Sequence, residues 1–511
     1  MTLDANRANR QELTIGVVGA GAMGRGIAQV AAVGGCVVKL YDTRAETAAE
    51  AVSFIGSILD RAADKGRMTD ADAKAALARI EVIDSLDGFA PCDAVIEAVI
   101  EDLDLKHQVF RALEGIVGDD TVLATNTSSI SVTAIAAACE RPARVAGFHF
   151  FNPVPLMKLV EVIDGIHTAP WVADFLVGLG KRMGREPVRV ADAPGFLVNQ
   201  VGRGFNIESA HIAADGVASF ADFDRVLRDA AGFRMGPFEL MDLTALDVTH
   251  PATELIYRQF YEEPRFRPSV LMATREKAGL LGRKTNHGFY AYLDGKAQVP
   301  DEAPTPTYDG RPVWISCAEP EAAEKLRAIV TAAAGALDDG DRPGDQSLIL
   351  TTPIGDDATT AAVEQGLDAS RTVAVDTVFG LETRRTVMRT PVTLAEFADA
   401  ALGLFGSGEA TATLINDSPG FIAQRVVSMI VNIGCAVAQA GTAAPDDIDK
   451  AVTLGLGYPH GPLAFGDLIG PATVLRILTA VHRLTGDPRY RPTPWLRRRA
   501  ELGVSLLTPE N

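Results

Sequence analysis

The chain has 511 residues, 47% of them hydrophobic and 22% charged, which is enough to bury the cores of roughly two to four domains. Its 66 acidic side chains outnumber 48 basic ones, and the formal net charge of -18 argues against a nucleic-acid or anionic-membrane surface. Five scattered cysteines, never spaced as C-x-x-C, indicate neither a disulfide framework nor a zinc site and fit a reducing cytoplasm, while a polar N-terminus and the lack of any long uncharged apolar run fit a soluble, untargeted chain.

The first block, "TIGVVGAGAMGRGIAQVAAVGGCVVKLYD" (14–42), predicts a strand, a tight glycine turn, an amphipathic helix and a second strand ending in an acid. Gly19 allows the turn, Gly21 lets a pyrophosphate approach the backbone, and Gly24 lets the helix pack close to the strand. The loop Gly19, Ala20, Gly21, Ala22, Met23, Gly24 would then offer its amides to phosphate oxygens. Asp42, eighteen residues after Gly24, suits a ribose diol and repels a 2′-phosphate, so NAD is preferred over NADP; Arg44 beside it is the one contrary signal. Further βα alternation follows in "DAVIEAVIED", "LKHQVFRALEGIV" and "TVLATNTSS", and extends a doubly wound sheet to about residue 191.

Within "RVAGFHFFNPVPLMKLVEVI" (144–163), Pro153 and Pro155 break two apolar runs, so 145–152 and 157–163 are predicted as neighbouring strands. His149 and Glu161 then come within reach of each other. A carboxylate beside an imidazole fixes its tautomer, and such an imidazole can take the proton of an alcohol while a hydride leaves the same carbon. Taken singly, a strand histidine is more often a satisfied core group; the nucleotide fold upstream and the acid partner reverse that preference.

The blocks "GAGAMGRGIA", "EAVIEDLDLK", "NTSSISVTAIA", "HFFNPVPLMKLVEVI", "DAPGFLVNQ" and "GRKTNHGFY", in this order over roughly the first 290 residues, resemble the 3-hydroxyacyl-CoA dehydrogenase family, especially its long bacterial type acting on 3-hydroxybutyryl-CoA or 3-hydroxyadipyl-CoA. The resemblance implies NAD as cofactor, an acyl-CoA as substrate, His149 as general base and Glu161 as its orienting partner. It also implies that Ser128 and Asn199 hydrogen-bond the reacting oxygen and the thioester carbonyl, that Asn152 lies beside the nicotinamide, and that Glu101, Lys106, Ser128 and Lys284 add NAD contacts. Lys65, near Arg61 and Arg67 on a helical hairpin, falls where relatives bind CoA. One residue departs from the family pattern: Gln200 follows Asn199 where the family usually has Arg.

The chain also repeats itself at an offset of 225 residues. Asp192, Pro194, Gly195, Phe196, Asp224, Gly232, Gly236, Pro237, Asp242 and Leu243 recur as Asp417, Pro419, Gly420, Phe421, Asp449, Gly457, Gly461, Pro462, Asp467 and Leu468. The expected architecture is therefore α/β: a Rossmann NAD-binding domain with the dyad (14–191), an all-α domain (192–292), a linker (293–312) with the proline-rich "GKAQVPDEAPTPTYDGRP", a degenerate shortened Rossmann-like domain (313–416), and a second helical repeat (417–511). Asn199 is matched by Gln424, the second half has no glycine fingerprint, and its corresponding strand offers only Asp376 for His149, so that half reads as structural. In single-copy relatives the helical domains pair as a dimer; the fused copy would supply that contact inside one chain, leaving a homodimer of whole chains as a further assembly.

Three readings meet these residues. The first is an NAD-linked 3-hydroxyacyl-CoA dehydrogenase; the second is a dehydrogenase of a small free hydroxy acid, whose enzymes generally use a lysine; the third is a non-catalytic NAD-binding protein. No metal is expected.

Overall fold

The computed structural model describes Ala8, Arg10 and residues 12–510. They form two compact units, one of residues up to Asn199 together with Ala440–Leu456, the other of Gln200–Gln439 with the residues from Gly457 onward.

The first unit holds an eight-stranded sheet: β1 (Thr14–Val18), β2 (Val37–Tyr41), β3 (Ile80–Val82), β4 (Ala94–Glu97), β5 (Val122–Thr125), β6 (Val145–Phe150), β7 (Leu159–Asp164) and β8 (Glu186–Ala191). The spatial order is β3-β2-β1-β4-β5-β6-β7-β8, parallel throughout except for the antiparallel β6·β7 pair. Helices α1 (Ala22–Val33), α2 (Ala45–Asp64), α3 (Asp70–Ala78), α4 (Leu103–Glu114), α5 (Val132–Ala136) and α6 (Pro170–Arg182) connect the strands. Strands β4, β5 and β6 are buried along their whole length, as parallel strands covered on both faces require. Strand β4 is shorter than the apolar run around it because the Glu97 carboxylate accepts the Val99 N–H at 2.7 Å and turns the chain. The direction of chain progress reverses between β1 and β4, and in such sheets ligands bind where the strand order reverses.

The second unit begins inside α7 (Val198–Ala214) and continues through α8 (Phe220–Asp229), α9 (Pro237–Thr244), α10 (Leu246–Gln259) and α11 (Val270–Lys277) to a short hairpin, β9 (Tyr292–Leu293) and β10 (Lys296–Ala297). Residues 298–312 have no regular structure but are not loose: Glu302 pairs with Arg384 at 2.8 Å, and Gly403 leaves room for the backbone of Tyr308. A five-stranded sheet follows, β11 (Val313–Ile315), β12 (Leu348–Thr351), β13 (Thr372–Val375), β14 (Arg384–Arg389) and β15 (Thr411–Ile415), in sequential order with only β13·β14 antiparallel. Helices α12 (Pro320–Ala332), α13 (Ala358–Glu364) and α14 (Ala395–Phe405) accompany it. The remaining helices are α15 (Ala423–Gln439), α16 (Pro445–Leu456), α17 (Pro462–Ile469), α18 (Pro471–Thr485) and α19 (Pro494–Leu502), of which α16 lies in the first unit. Among the described residues no single helix is long and apolar enough to cross a membrane.

In the second unit α7 and α15 cross where Gly204 meets Ile430. Glu208, fully buried on α7, accepts from Arg425 Nε at 2.7 Å and from the Tyr490 hydroxyl at 2.8 Å, and pairs with Arg489 at 2.8 Å. One turn on, His211 donates from Nε2 to the Arg267 carbonyl at 3.0 Å. Burial, aided by Arg489, pushes the His211 imidazole down to about 4 from its ordinary 6.5. A base with a depressed folded pKa stabilises the fold fully above pH 6.5 and loses that contribution as pH falls from 6.5 toward 4. Lowering the pH from 6.5 to 5 is expected to remove about 2 kcal/mol of stability through this group. Urea unfolding at both pH values checks it: His211→Gln, which keeps a donor but does not titrate, should flatten the difference by that amount.

Candidate active site

The loops after β1, β4, β5 and β6 emerge at one edge of the first sheet, the carboxyl ends of its parallel strands. The glycine turn comes first. Gly19 has φ +98°, and a Cβ there would lie 2.6 Å from the Ala98 carbonyl oxygen, so only glycine permits the β1 loop to abut the β4 loop. A Cβ at Gly24 would lie 1.7 Å from the Gly19 oxygen, whereas Gly21 faces open space. Helix α1 starts at Ala22 with no side-chain cap and no acid in its first turn, so its leading amides suit an anion. Asp42, the residue after β2, accepts the Ala20 N–H at 2.9 Å and the Arg44 N–H at 3.0 Å, which fixes its carboxylate against the turn. These features fit a dinucleotide: small residues where a pyrophosphate approaches, uncapped amides, and an acid at the ribose position.

Next along the edge is a polar cluster. Lys106 is 1% exposed and bridges Glu97, itself fully buried, at 2.8 Å and Glu101 at 3.4 Å. Glu97 also accepts the Thr125 hydroxyl at 2.7 Å. Glu101 in turn holds the loop after β5, accepting from the Thr127 hydroxyl at 2.7 Å and from the Ser128 N–H, the Ser129 N–H and the Ser129 hydroxyl at 2.9 Å each. Burial alone would raise the Glu101 carboxyl, but these donors and Lys106 outweigh it and hold it below the usual range. The structure thus brings Glu101, Lys106 and Ser128 together, with Ser128 exposed. Glu97, which the sequence reading leaves unassigned, joins them; its signal was a charge closing the apolar run "AVIE".

The dyad closes the site. His149 and Glu161 are opposite residues of the antiparallel β6·β7 ladder, and His149 Nδ1 lies 2.6 Å from Glu161 Oε2. His149 is 5% exposed and Glu161 not at all. The other carboxylate oxygen accepts the N–H groups of Leu197 at 3.2 Å and Val198 at 2.9 Å. Those amides open α7, where the first turn has no intrahelical acceptors, and they are aimed back at β7 by the left-handed turn at Gly195 (φ 71°) and Phe196 (φ 50°). Three N–H groups thus offset the buried charge. The Phe151 and Phe196 rings, centred 4.5 and 5.7 Å from the imidazole, wall it in. With Nδ1 donating to the carboxylate, Nε2 carries the lone pair and is the basic nitrogen. The loop after β6 packs onto α1, where Gly26 leaves room for Val154 that a Cβ, 2.7 Å from Val154 Cβ, would fill. This contact ties the dyad strand to the glycine-loop helix.

Asn152 is exposed just beyond β6, and Asn199 is half-buried one residue past Val198. Lys65 is exposed at the C-cap of α2. Lys284 belongs to the second unit, exposed and paired with Asp247. Among the described residues no group of three or more His, Cys, Asp or Glu side chains is placed to hold a metal ion.

The model described as 3-hydroxyacyl-CoA dehydrogenase, NAD binding domain, matches residues 14–193, and that of the 3-hydroxyacyl-CoA dehydrogenase C-terminal domain matches residues 195–292 and 420–505. The chain belongs to the 3-hydroxyacyl-CoA dehydrogenase family. Like its members it is an NAD-dependent oxidoreductase. A 3-hydroxyadipyl-CoA dehydrogenase of Escherichia coli K12 is 36% identical over 96% of this chain and 98% of its own length. A probable 3-hydroxybutyryl-CoA dehydrogenase of Deinococcus radiodurans is 39% identical over 55% of this chain and all of its own. A crystal structure of a 3-hydroxybutyryl-CoA dehydrogenase from E. coli K12 superposes with a TM-score of 0.83 at 35% identity, covering 96% of this chain and 98% of that one.

Proposed function

We propose that the chain interconverts an (S)-3-hydroxyacyl-CoA and its 3-ketoacyl-CoA, with a 3-hydroxybutyryl or 3-hydroxyadipyl acyl group, using the His149–Glu161 dyad as proton acceptor. The observation that carries the reading is the 2.6 Å contact between these side chains, anchored by the Leu197 and Val198 amides, at the sheet edge that also bears the glycine turn. In the oxidative direction His149 Nε2 takes the proton of the 3-hydroxyl while the C3 hydrogen leaves with its electron pair. NAD, when bound, supplies the hydride acceptor. Glu161 stabilises the imidazolium formed, and Ser128 and Asn199 donate to the reacting oxygen and the thioester carbonyl. The loop from Gly19 to Gly24 with Asp42 holds the cofactor; Glu101, Lys106, Asn152 and Lys284 assist, and Lys65 serves the CoA phosphates. Titrating the protein with NADH and acetoacetyl-CoA should consume NADH by its absorbance. Consumption only with free keto acids, or binding without turnover, would overturn the assignment.

We further infer that the second half is a duplicate lacking the first three strands, paired with the first half as single-copy relatives pair between subunits. In its support, β11–β15 repeat the directions of β4–β8, with one antiparallel pair in the same place. Left-handed residues recur at the 225 offset: Gly195 and Gly420, Phe196 and Phe421, Gly216 and Gly441, Gly232 and Gly457, Ala245 and Gly470, Tyr261 and Gly486. Asp192 caps α5, and Asp417 caps α13 in the same manner. Contacts within the second unit are reciprocal, Arg491 pairing with Glu263 and Arg267 with Asp487, as in an isologous interface. The ladder aligns Thr386 with Glu161, and opposite it stands Asp376, held by Gln424 at 2.9 Å. Burial pushes the Asp376 carboxyl up to about 6; neither it nor Thr386 reproduces an imidazole–carboxylate pair.

A further inference from the structure

By sequence, residues 440–456 belong to the second half, yet they fold with the first unit. The Thr442 carbonyl accepts the N–H of Ala191, the last residue of β8, at 2.7 Å. From there α16 crosses the sheet edge to Gly455, where a Cβ would lie 2.9 Å from Leu159 Cδ2 and 3.1 and 3.2 Å from the two γ-carbons of Val198. Leu159 stands two residues before Glu161 on β7 and so on the same face. Val198 supplies the shorter of the two amide bonds to Glu161, at 2.9 Å. We propose that α16 is a positioning element for the reaction: through Gly455 it braces Leu159 and Val198, and thereby sets the amides that hold Glu161 against His149. The proposal rests on the dyad reading above. It gives the second half a direct part in the first half's chemistry.

The same contact is built a second time. Asn416, the counterpart of Ala191, donates to the carbonyl of Val217, the counterpart of Thr442, at 2.9 Å. Ala230, the counterpart of Gly455, packs on Gly380, where a Cβ would lie 2.5 Å from its methyl. Each half therefore lays one helix on the other half's sheet, and of the two corresponding ladders β6·β7 carries a histidine and a glutamate opposite each other while β13·β14 does not.

The test is steady-state kinetics of the full chain with NADH and acetoacetyl-CoA. Gly455→Val should lower kcat about tenfold or more, since displacements near 1 Å at a catalytic group can cost ~10²-fold. NADH affinity should stay within about twofold, because the glycine turn is untouched, and the kcat pH profile should shift with the displaced carboxylate. Gly455→Val combined with Val198→Ala removes the two Val198 γ-carbons, leaving only Leu159 Cδ2 in the way, and should regain part of the loss. A Gly455→Val protein that keeps wild-type kcat and pH profile, or a loss that Val198→Ala does not relieve, overturns the proposal. Should the valine variant fail to fold, Gly455→Ala carries the same comparison with a smaller expected loss. A wild-type chain that consumes no NADH would instead overturn the functional reading, and this inference with it.

Discussion

His149→Gln is expected to lower kcat by ~10²–10⁴-fold while leaving NADH affinity nearly unchanged. The loss follows from the role proposed for Nε2: Gln offers no group that could hold the alcohol proton as an imidazolium would. The glycine turn between β1 and α1 and Asp42 just after β2, which would hold the cofactor, make none of the contacts described for His149. Glu161→Gln should cost a similar ~10²–10⁴-fold for a different reason. An amide N–H facing His149 Nδ1 would force the opposite tautomer, placing the proton on Nε2 and removing the base, whereas an amide oxygen there would turn the NH₂ group onto the Leu197 and Val198 donors. Stopped-flow NADH oxidation and a fluorescence titration of NADH would measure the two quantities separately. Either variant with near wild-type turnover would remove the dyad from the mechanism.

The largest expected effect on stability lies in the second unit. Glu208→Gln should destabilise the fold by about 3–5 kcal/mol, because it strands two buried guanidiniums without their shared carboxylate. Burial by itself would raise the Glu208 carboxyl, but Arg489 and Arg425 outweigh it and hold it below the ordinary 4.5. A carboxylate with a depressed folded pKa contributes its stability fully above about 4.5 and loses it as the pH falls through the folded value. Acid unfolding of the wild type should therefore steepen below pH 4.5, and that added steepness should be absent from the Gln variant. Urea midpoints of Glu208→Gln, Arg489→Met and the double variant give the coupling directly; a coupling below about 0.5 kcal/mol would mean the network is not a unit.

The glycine turn with Asp42 was legible because its residues are contiguous and each has a steric or electrostatic reason to stand where it does. The pairing of His149 with Glu161 was legible because two prolines separated two apolar runs, the first with His149 as its one ionisable side chain and the second with Glu161 as its one acid. Two other features were not. Lys106 reads from the family pattern as a cofactor contact, but its burial between Glu97 and Glu101 depends on how far α4 sits from β4, which no local pattern encodes. The position of α16 was hidden for a more general reason. An internal repeat reveals which segments are equivalent but not which copy's sheet each helix covers, since both arrangements bury the same kinds of surface. In the folded chain residues 440–456 lie on the side of Ala191 and Leu159.

The bond from Ala191 to Thr442 joins two stretches of one polypeptide. Its local concentration is set by the intervening chain and not by the amount of protein present, so dilution cannot dissociate it. Specific activity should accordingly be constant across the range in which an assembly of separate subunits would fall apart. If the proposed bracing holds, residues 440–456 are also kept from drifting freely in sequence, because a change in bulk at position 455 would press on Leu159 and Val198.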